Sequence, residues 1–147
     1  MTPAELTLID TLTAFFCREG YPKHKDDPAV HRIHIDWEWR SGQWVMLTDK
    51  ESNRLLGWLS FYLVDEETLA LFESGEYEDY VREGELLNLI NGDHVYVATT
   101  VVMPWAPEGT YRRLFDLAID VNPQAKNITA DLLNRKGKVR RVQRTIN

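Results

Sequence analysis

The sequence predicts an α+β fold: one domain over residues 1–147, with a mixed, mainly antiparallel sheet and helices on both of its faces. Three observations carry this expectation. The N-terminal stretch has helical period and its own start signal. Several β-rich runs follow, separated by turn residues. One of those runs is apolar on both faces and leads into an amphipathic helix, the pattern of a central strand.

In the first helix, Thr2 stands at the N-cap, Pro3 at the first helical position and Glu5 at the capping-box position. Leu6, Ile9, Leu12, Phe15 and Phe16 follow a helical period, and Gly20 ends it. The next segment, GYPKHKDDPAVH, reads as a loop bounded by prolines. From Ile33 to Trp39 the alternation is strict. Ile33, Ile35, Trp37 and Trp39 share one face, and His34, Asp36 and Glu38 the other, which predicts a strand. Ser41-Gly42 marks a turn, QWVMLTD a second strand and LLGWLSFYLV a third, so an antiparallel meander is expected.

Glu66 to Ile90 is acidic and mostly helical in pattern, with breaks at Gly75 and Gly84, and Asn91-Gly92 stops it. His94 to Met103 is the β-branched run expected at the centre of the sheet. Thr110 to Val121 is a helix with Tyr111, Leu114, Phe115 and Ala118 on its inner stripe. Ile128 to Leu133 and Val139 to Ile146 are strands around the turn NRKGK. No repeat or interdomain linker interrupts this order.

A chain of 147 residues fits one core, and 44% hydrophobic with 27% charged residues is a globular composition rather than a disordered one. No run of eighteen apolar residues suggests a membrane span, and MTPAELTLID lacks the features of a signal peptide. Cys17 is the only cysteine. It has no internal disulfide partner, which fits a reducing, cytoplasmic setting, and its place beside Phe15 and Phe16 suggests core packing. The net charge of −6 is uneven. Six basic residues and no acid lie between Arg135 and Asn147; without them, 11 Lys and Arg face 23 Asp and Glu, a balance of −12. An acidic body disfavours nucleic acid over most of the surface and leaves the basic C-terminal strand as the one candidate contact.

The stretch VVMPWAPEGTYRRLFD joins the central strand to a helix N-terminus. Free N–H groups and the helix dipole at such a junction favour phosphate. Gly109 permits close approach, and Arg112 and Arg113 add charge. Two readings stand here: a pyrophosphate site such as coenzyme A would need, or a capped helix with solvated arginines. A Gly-rich phosphate loop is absent. Trp105 either lines an apolar acyl or pantetheine channel or covers the end of the core.

Among the histidines, His31 and His34 would point to opposite faces of an extended segment and make a poor metal pair, so no metal is expected. His94 reads as structural. His24, between Lys23 and Lys25, is either a solvated side chain or a neutral base.

LLGWLSFYLVDEE, the acidic helical region, VVMPWAPEGTYRRLFDLAIDVNPQAKNI and RKGKV together resemble the RTX toxin-activating lysine acyltransferases. They are also similar to small acetyltransferase-like proteins of phages and prophages. Both have a GNAT-like fold, and the resemblance covers roughly residues 21 to 139. It implies acyl or acetyl transfer from a coenzyme A or acyl carrier protein thioester to an amine, with a protein lysine as one acceptor class. His24, in Pro22-Lys23-His24, falls on the family's catalytic histidine. Thr100 falls where the family has an aspartate, and of the fuller glycine signature only Gly109 is present. The resemblance assigns backbone groups of Val101, Val102 and Met103 to the pantetheine, Trp105 to its channel, and Gly109, Thr110 and Arg112 to the pyrophosphate. The competing expectation is a non-catalytic phage or prophage module that binds a host or phage protein, sits in a particle, or inhibits a host enzyme. An oligomer stays open under either.

Overall fold

The computed structural model describes residues 1–19, 28–74, 89–133 and 139–147. Their order is α1 (Pro3–Glu19), α2 (Pro28–Ser41), β1 (Trp44–Thr48), β2 (Leu55–Val64), α3 (Glu66–Ser74), β3 (His94–Val102), α4 (Thr110–Asp120), β4 (Asn127–Leu133) and β5 (Val139–Thr145). The fold is α+β, with four helices among the described residues and one five-stranded mixed sheet. The strands lie in chain order, β1-β2-β3-β4-β5. All neighbours are antiparallel except β3 and β4, which are parallel and joined through α4.

α1 starts as its sequence predicts. The Thr2 hydroxyl accepts the Glu5 N–H at 3.2 Å, which satisfies one of the amides a helix start leaves free. α3 uses the same device: Asp65 Oδ1 accepts the Thr68 N–H at 2.7 Å. This bond holds the Asp65 carboxyl below its ordinary range. Residues 20–27 of the expected loop, Gly75, Gly84 and the turn before Val139 lie outside the described residues, while the last part of that loop, Pro28 to His31, is the first turn of α2 instead.

The expected strand from Ile33 to Trp39 is instead the second half of α2, so the meander has two strands here rather than three. The alternation is real in the sequence but does not describe the burial. Ile35 is 1% exposed while Ile33, on the same face of any strand, is 65% exposed. Ile35 and Glu38 are the buried residues of α2, one helical turn apart. Burying Ile35 in the core contributes about 2 kcal/mol. Asp10 and Arg32 (2.7 Å) and the rings of Phe16 and His31 (5.1 Å) tie α1 to α2.

Helices cover both faces of the sheet. On one face Ile9 and Leu12 of α1 and Ile35 of α2 pack on Trp58, Val101 and Met103. On the other, Leu114, Phe115 and Ala118 of α4 pack on Leu59, Phe61, Val95, Val97 and Ile128. A third cluster, Val64, Leu69 and Phe72, seats α3. The buried residues 95 and 97 of β3 face α4, whereas 101 and, just past the strand, 103 face α1 and α2. Side chains alternate along a strand, so these odd-numbered positions reach opposite faces only if the register shifts between them. It does: Ser60 pairs with Thr99 and Phe61 with Val97, which leaves Ala98 as the extra residue of a β-bulge.

Candidate functional site

The parallel ladder between β3 and β4 has three pairs: His94 with Asn127, Val95 with Ile128, and Tyr96 with Thr129. Both strands then continue, β3 through Val97–Val102 on β2 and β4 through Ala130–Leu133 on β5, without pairing to each other. A gap in the hydrogen bonding of the sheet, the opening of this site, therefore runs between them toward the loop 103–109. His94 stands at the closed end, buried, with its Nδ1 at 2.9 Å from Asn127 Oδ1.

Backbone groups line the β3 side of this opening. The Met103 N–H donates to the Leu56 carbonyl at 2.9 Å, across to β2. Amides alternate sides along a strand, so the Thr100 and Val102 N–H groups turn toward β4. The side chains separate differently. Thr100 pairs with Leu59, whose side chain belongs to the α4 face, so the half-buried Thr100 side chain lies on that face too. Val102 packs against the same cluster, while Val101 and Met103 are buried toward α1 and α2.

At the far end, Gly109 caps α4 with φ 87° and ψ 0°, a left-handed conformation glycine adopts without cost. No side chain caps the first turn. A Cβ at Gly109 would meet nothing within 4 Å, so space in front of this residue is open. Thr110 is 1% exposed and donates its hydroxyl to the Pro107 carbonyl at 2.7 Å. Arg112 and Arg113 are exposed. α4 sits low on the sheet because Gly57 of β2 lies beneath it: a Cβ there would stand 2.8 Å from Leu114 Cδ1 and 3.3 Å from Thr110 Cγ2.

Trp105 is 40% exposed and held on three sides. Its indole N–H donates to the Leu55 carbonyl at 2.8 Å, Phe15 meets its ring edge-on at 5.5 Å, and the Arg54 guanidinium lies 4.0 Å above its centre. It closes the α1 end of the core and stands where β3 gives way to the loop. His24 lies outside the described residues.

Sequence reasoning missed the most polar buried group. Glu38 of α2, 1% exposed, accepts a hydrogen bond from Ser60 of β2, itself wholly buried. Its second oxygen lies 3.5 Å from the Tyr62 hydroxyl, and Thr99 also bonds to it. Burial pushes the Glu38 carboxyl up to about 7, against the opposing pull of these hydrogen bonds. Ser60 Oγ in turn accepts the backbone N–H of Thr99 at 3.1 Å. The network thus lies at the bulge, three residues beyond Tyr96, where β4 departs. The alternation had placed Glu38 with His34 and Asp36 on the strand face opposite Ile35. Pro28 as a first helical residue, with Ile35 and Glu38 spaced by one turn, is the signal that points to it.

The basic C-terminal strand is partly neutralised. Arg141 bonds Asp131 at 2.8 Å and approaches Glu73 at 3.8 Å; Arg144 meets Asp116 at 3.2 Å. Asp131 also accepts the Tyr96 hydroxyl at 2.8 Å. His31 and His34 are on a helix, not in an extended segment. Among the described residues, no group of three or more His, Cys, Asp or Glu could hold a metal ion. Within the same residues, no helix is long and apolar enough to cross a membrane.

The site is thus an opening in an α+β sheet, lined by strand backbone on one side and ended by an uncapped helix N-terminus. No model of a known protein family matches the sequence, and no curated protein matches it.

Proposed function

We propose that the protein is a GNAT-like N-acyltransferase that takes an acyl group from a coenzyme A or acyl carrier protein thioester and gives it to an amine. The observation that carries this reading is the early end of the β3–β4 ladder, after three pairs, while both strands run on. A pantetheine arm is an extended chain of amides. It needs a strand with unpaired backbone groups, and Thr100 and Val102 offer them. From Ala98 to Met103 the strand spans roughly 17 Å. The pyrophosphate end then falls at Gly109, Thr110 and Arg112: the Thr110 N–H is taken by the Pro107 carbonyl at 3.3 Å, so the helix dipole and the exposed Arg112 guanidinium are what favour negative charge there.

In this reading the amine attacks the thioester carbonyl, the new C–N bond replaces the C–S bond, and the thiol leaves with a proton. The protein supplies position and hydrogen bonds to the carbonyl oxygen. His24 is assigned the proton shuttle on the resemblance alone. Thr100 contributes its backbone; its side chain, directed to the α4 face, takes no part in acid–base chemistry.

Calorimetric titration with acetyl-CoA, longer acyl-CoAs and an acyl carrier protein tests the reading. Binding that weakens tenfold or more in Arg112→Glu is expected. No heat from any of the three donors at millimolar concentration would remove it. The second reading, a binding module without catalysis, is favoured by the threonine at position 100. It predicts donor binding without turnover, or no donor binding at all.

A further inference from the structure

We propose that Glu38, Ser60 and Thr99 form a pin that fixes the bulge of β3 and so sets the direction in which the second half of β3 leaves β4. They are positioning residues; for a ligand held in the opening, this role rests on the reading above.

In a regular antiparallel ladder every inward N–H meets a carbonyl on the facing strand. The extra residue Ala98 interrupts that order. Just past it, the Thr99 N–H donates to a side chain, Ser60 Oγ, at 3.1 Å. A hydroxyl has one proton to give and can accept as well. Ser60 accepts from the strand and donates to the carboxylate, so one hydroxyl couples the two. The carboxylate belongs to α2, a different layer of the fold. A helix side chain thereby fixes a backbone register within the sheet.

Burial makes the coupling strict. Glu38 and Ser60 are at most 1% exposed and Thr99 is 7% exposed, so water has poor access to replace a lost bond. The packing requires a bulge somewhere between Val97 and Val101, because those residues are buried on opposite faces. The hydrophobic pattern alone does not choose its place; the Ser60–Thr99 bond holds it at Ala98. Downstream of that point, the register decides which amides face β2 and which face the opening. The pin therefore determines that Thr100 and Val102, not their neighbours, present N–H groups to the gap.

Amide hydrogen exchange followed by NMR, with acetyl-CoA calorimetry beside it, tests the pin. Ser60→Ala is expected to speed exchange at Thr99 tenfold or more relative to Val45 in β1. Glu38→Gln, which keeps an acceptor for Ser60, is expected to stay within threefold of wild type. Ser60→Cys keeps a polar atom on the β-carbon, weakens both bonds and supplies the same comparison without leaving a cavity. Acetyl-CoA affinity is expected to fall tenfold or more in Ser60→Ala and to stay unchanged in Leu69→Ala, a core change in α3 away from the opening. Wild-type exchange at Thr99 in both Ser60 variants would overturn the proposal. So would an affinity loss in Ser60→Ala no greater than in Leu69→Ala. A wild-type protein that binds no acyl donor would remove the acyl-transfer reading instead, and the exchange result would still decide the pin.

Discussion

Glu38 and Ser60 share a hydrogen bond in the interface between α2 and β2, where both residues are at most 1% exposed. Burial raises the Glu38 carboxyl from its ordinary 4.5 to about 7, so the folded protein holds this proton more tightly than the unfolded chain. Below about pH 4.5 both states are protonated and the contribution to stability is fully present. It is lost as pH rises through 7, because the unfolded chain ionises freely and the folded one resists. The difference amounts to about 3 kcal/mol. Urea melts between pH 5 and 8 are expected to show this decline, and Glu38→Gln to flatten it. A Gln variant with the wild-type slope would assign the pH dependence to other groups.

Gly57 makes room for the start of α4. Its substitution by alanine would put a methyl group 2.8 Å from Leu114 Cδ1 and 3.1 Å from the Val101 carbonyl oxygen. The carbonyl has little freedom to move, while the leucine tip can shift. The expected cost is about 1–3 kcal/mol, with chemical-shift changes at the Thr110 and Tyr111 amides. Leu114→Val in the same chain is expected to recover part of that loss, so the two changes should be non-additive in a double-mutant cycle.

Gly109 presents the opposite situation, since a Cβ there meets nothing. The cost of Gly109→Ala should come from the backbone angle alone, about 1–2 kcal/mol. Gly109→Asn should cost less, because asparagine tolerates the left-handed region better than alanine. Equal destabilisation by the two would point to a steric cause instead.

Ile33 and Ile35 separate the two descriptions of the segment after Pro28. In a strand they would share a face and cost the same when truncated. In the helix, Ile35→Ala is expected to cost about 2–5 kcal/mol and Ile33→Ala less than about 0.5, read from denaturant midpoints at equal slopes. Similar losses at both positions would contradict the helix.

That pair also shows where sequence reading stopped. α1, β1, β2, α4, β4 and β5 were legible because each carries a cap, a flanking turn or a helical period, and β3 because it is an unbroken β-branched run. In α2 the buried stripe passes through an acid, Glu38, and the apolar residues Ile33 and Trp37 remain exposed. Hydrophobicity therefore misreports which face is inside. The junction at Gly109 could be seen from residue types. The bulge at Ala98 could not, since it depends on which partner each face of β3 meets. The basic run after Arg135 looked like an open patch because its partners Asp131, Glu73 and Asp116 lie elsewhere in the chain.

The three pairs that join β3 to β4 carry a consequence for cooperativity. β1, β2 and β3 form a continuous ladder built from neighbouring segments, while β4 and β5 pair along seven residues and attach to the rest of the sheet through one short seam. Beyond that seam, the terminal hairpin is held by Ala130, Leu132, Val142 and Ile146 against the core under α4 and by the ion pairs of Arg144 with Asp116 and Arg141 with Glu73. Partial unfolding should follow this division. The hairpin would detach as a unit at a free energy below that of global unfolding, leaving the three-stranded leaf and its helices in place.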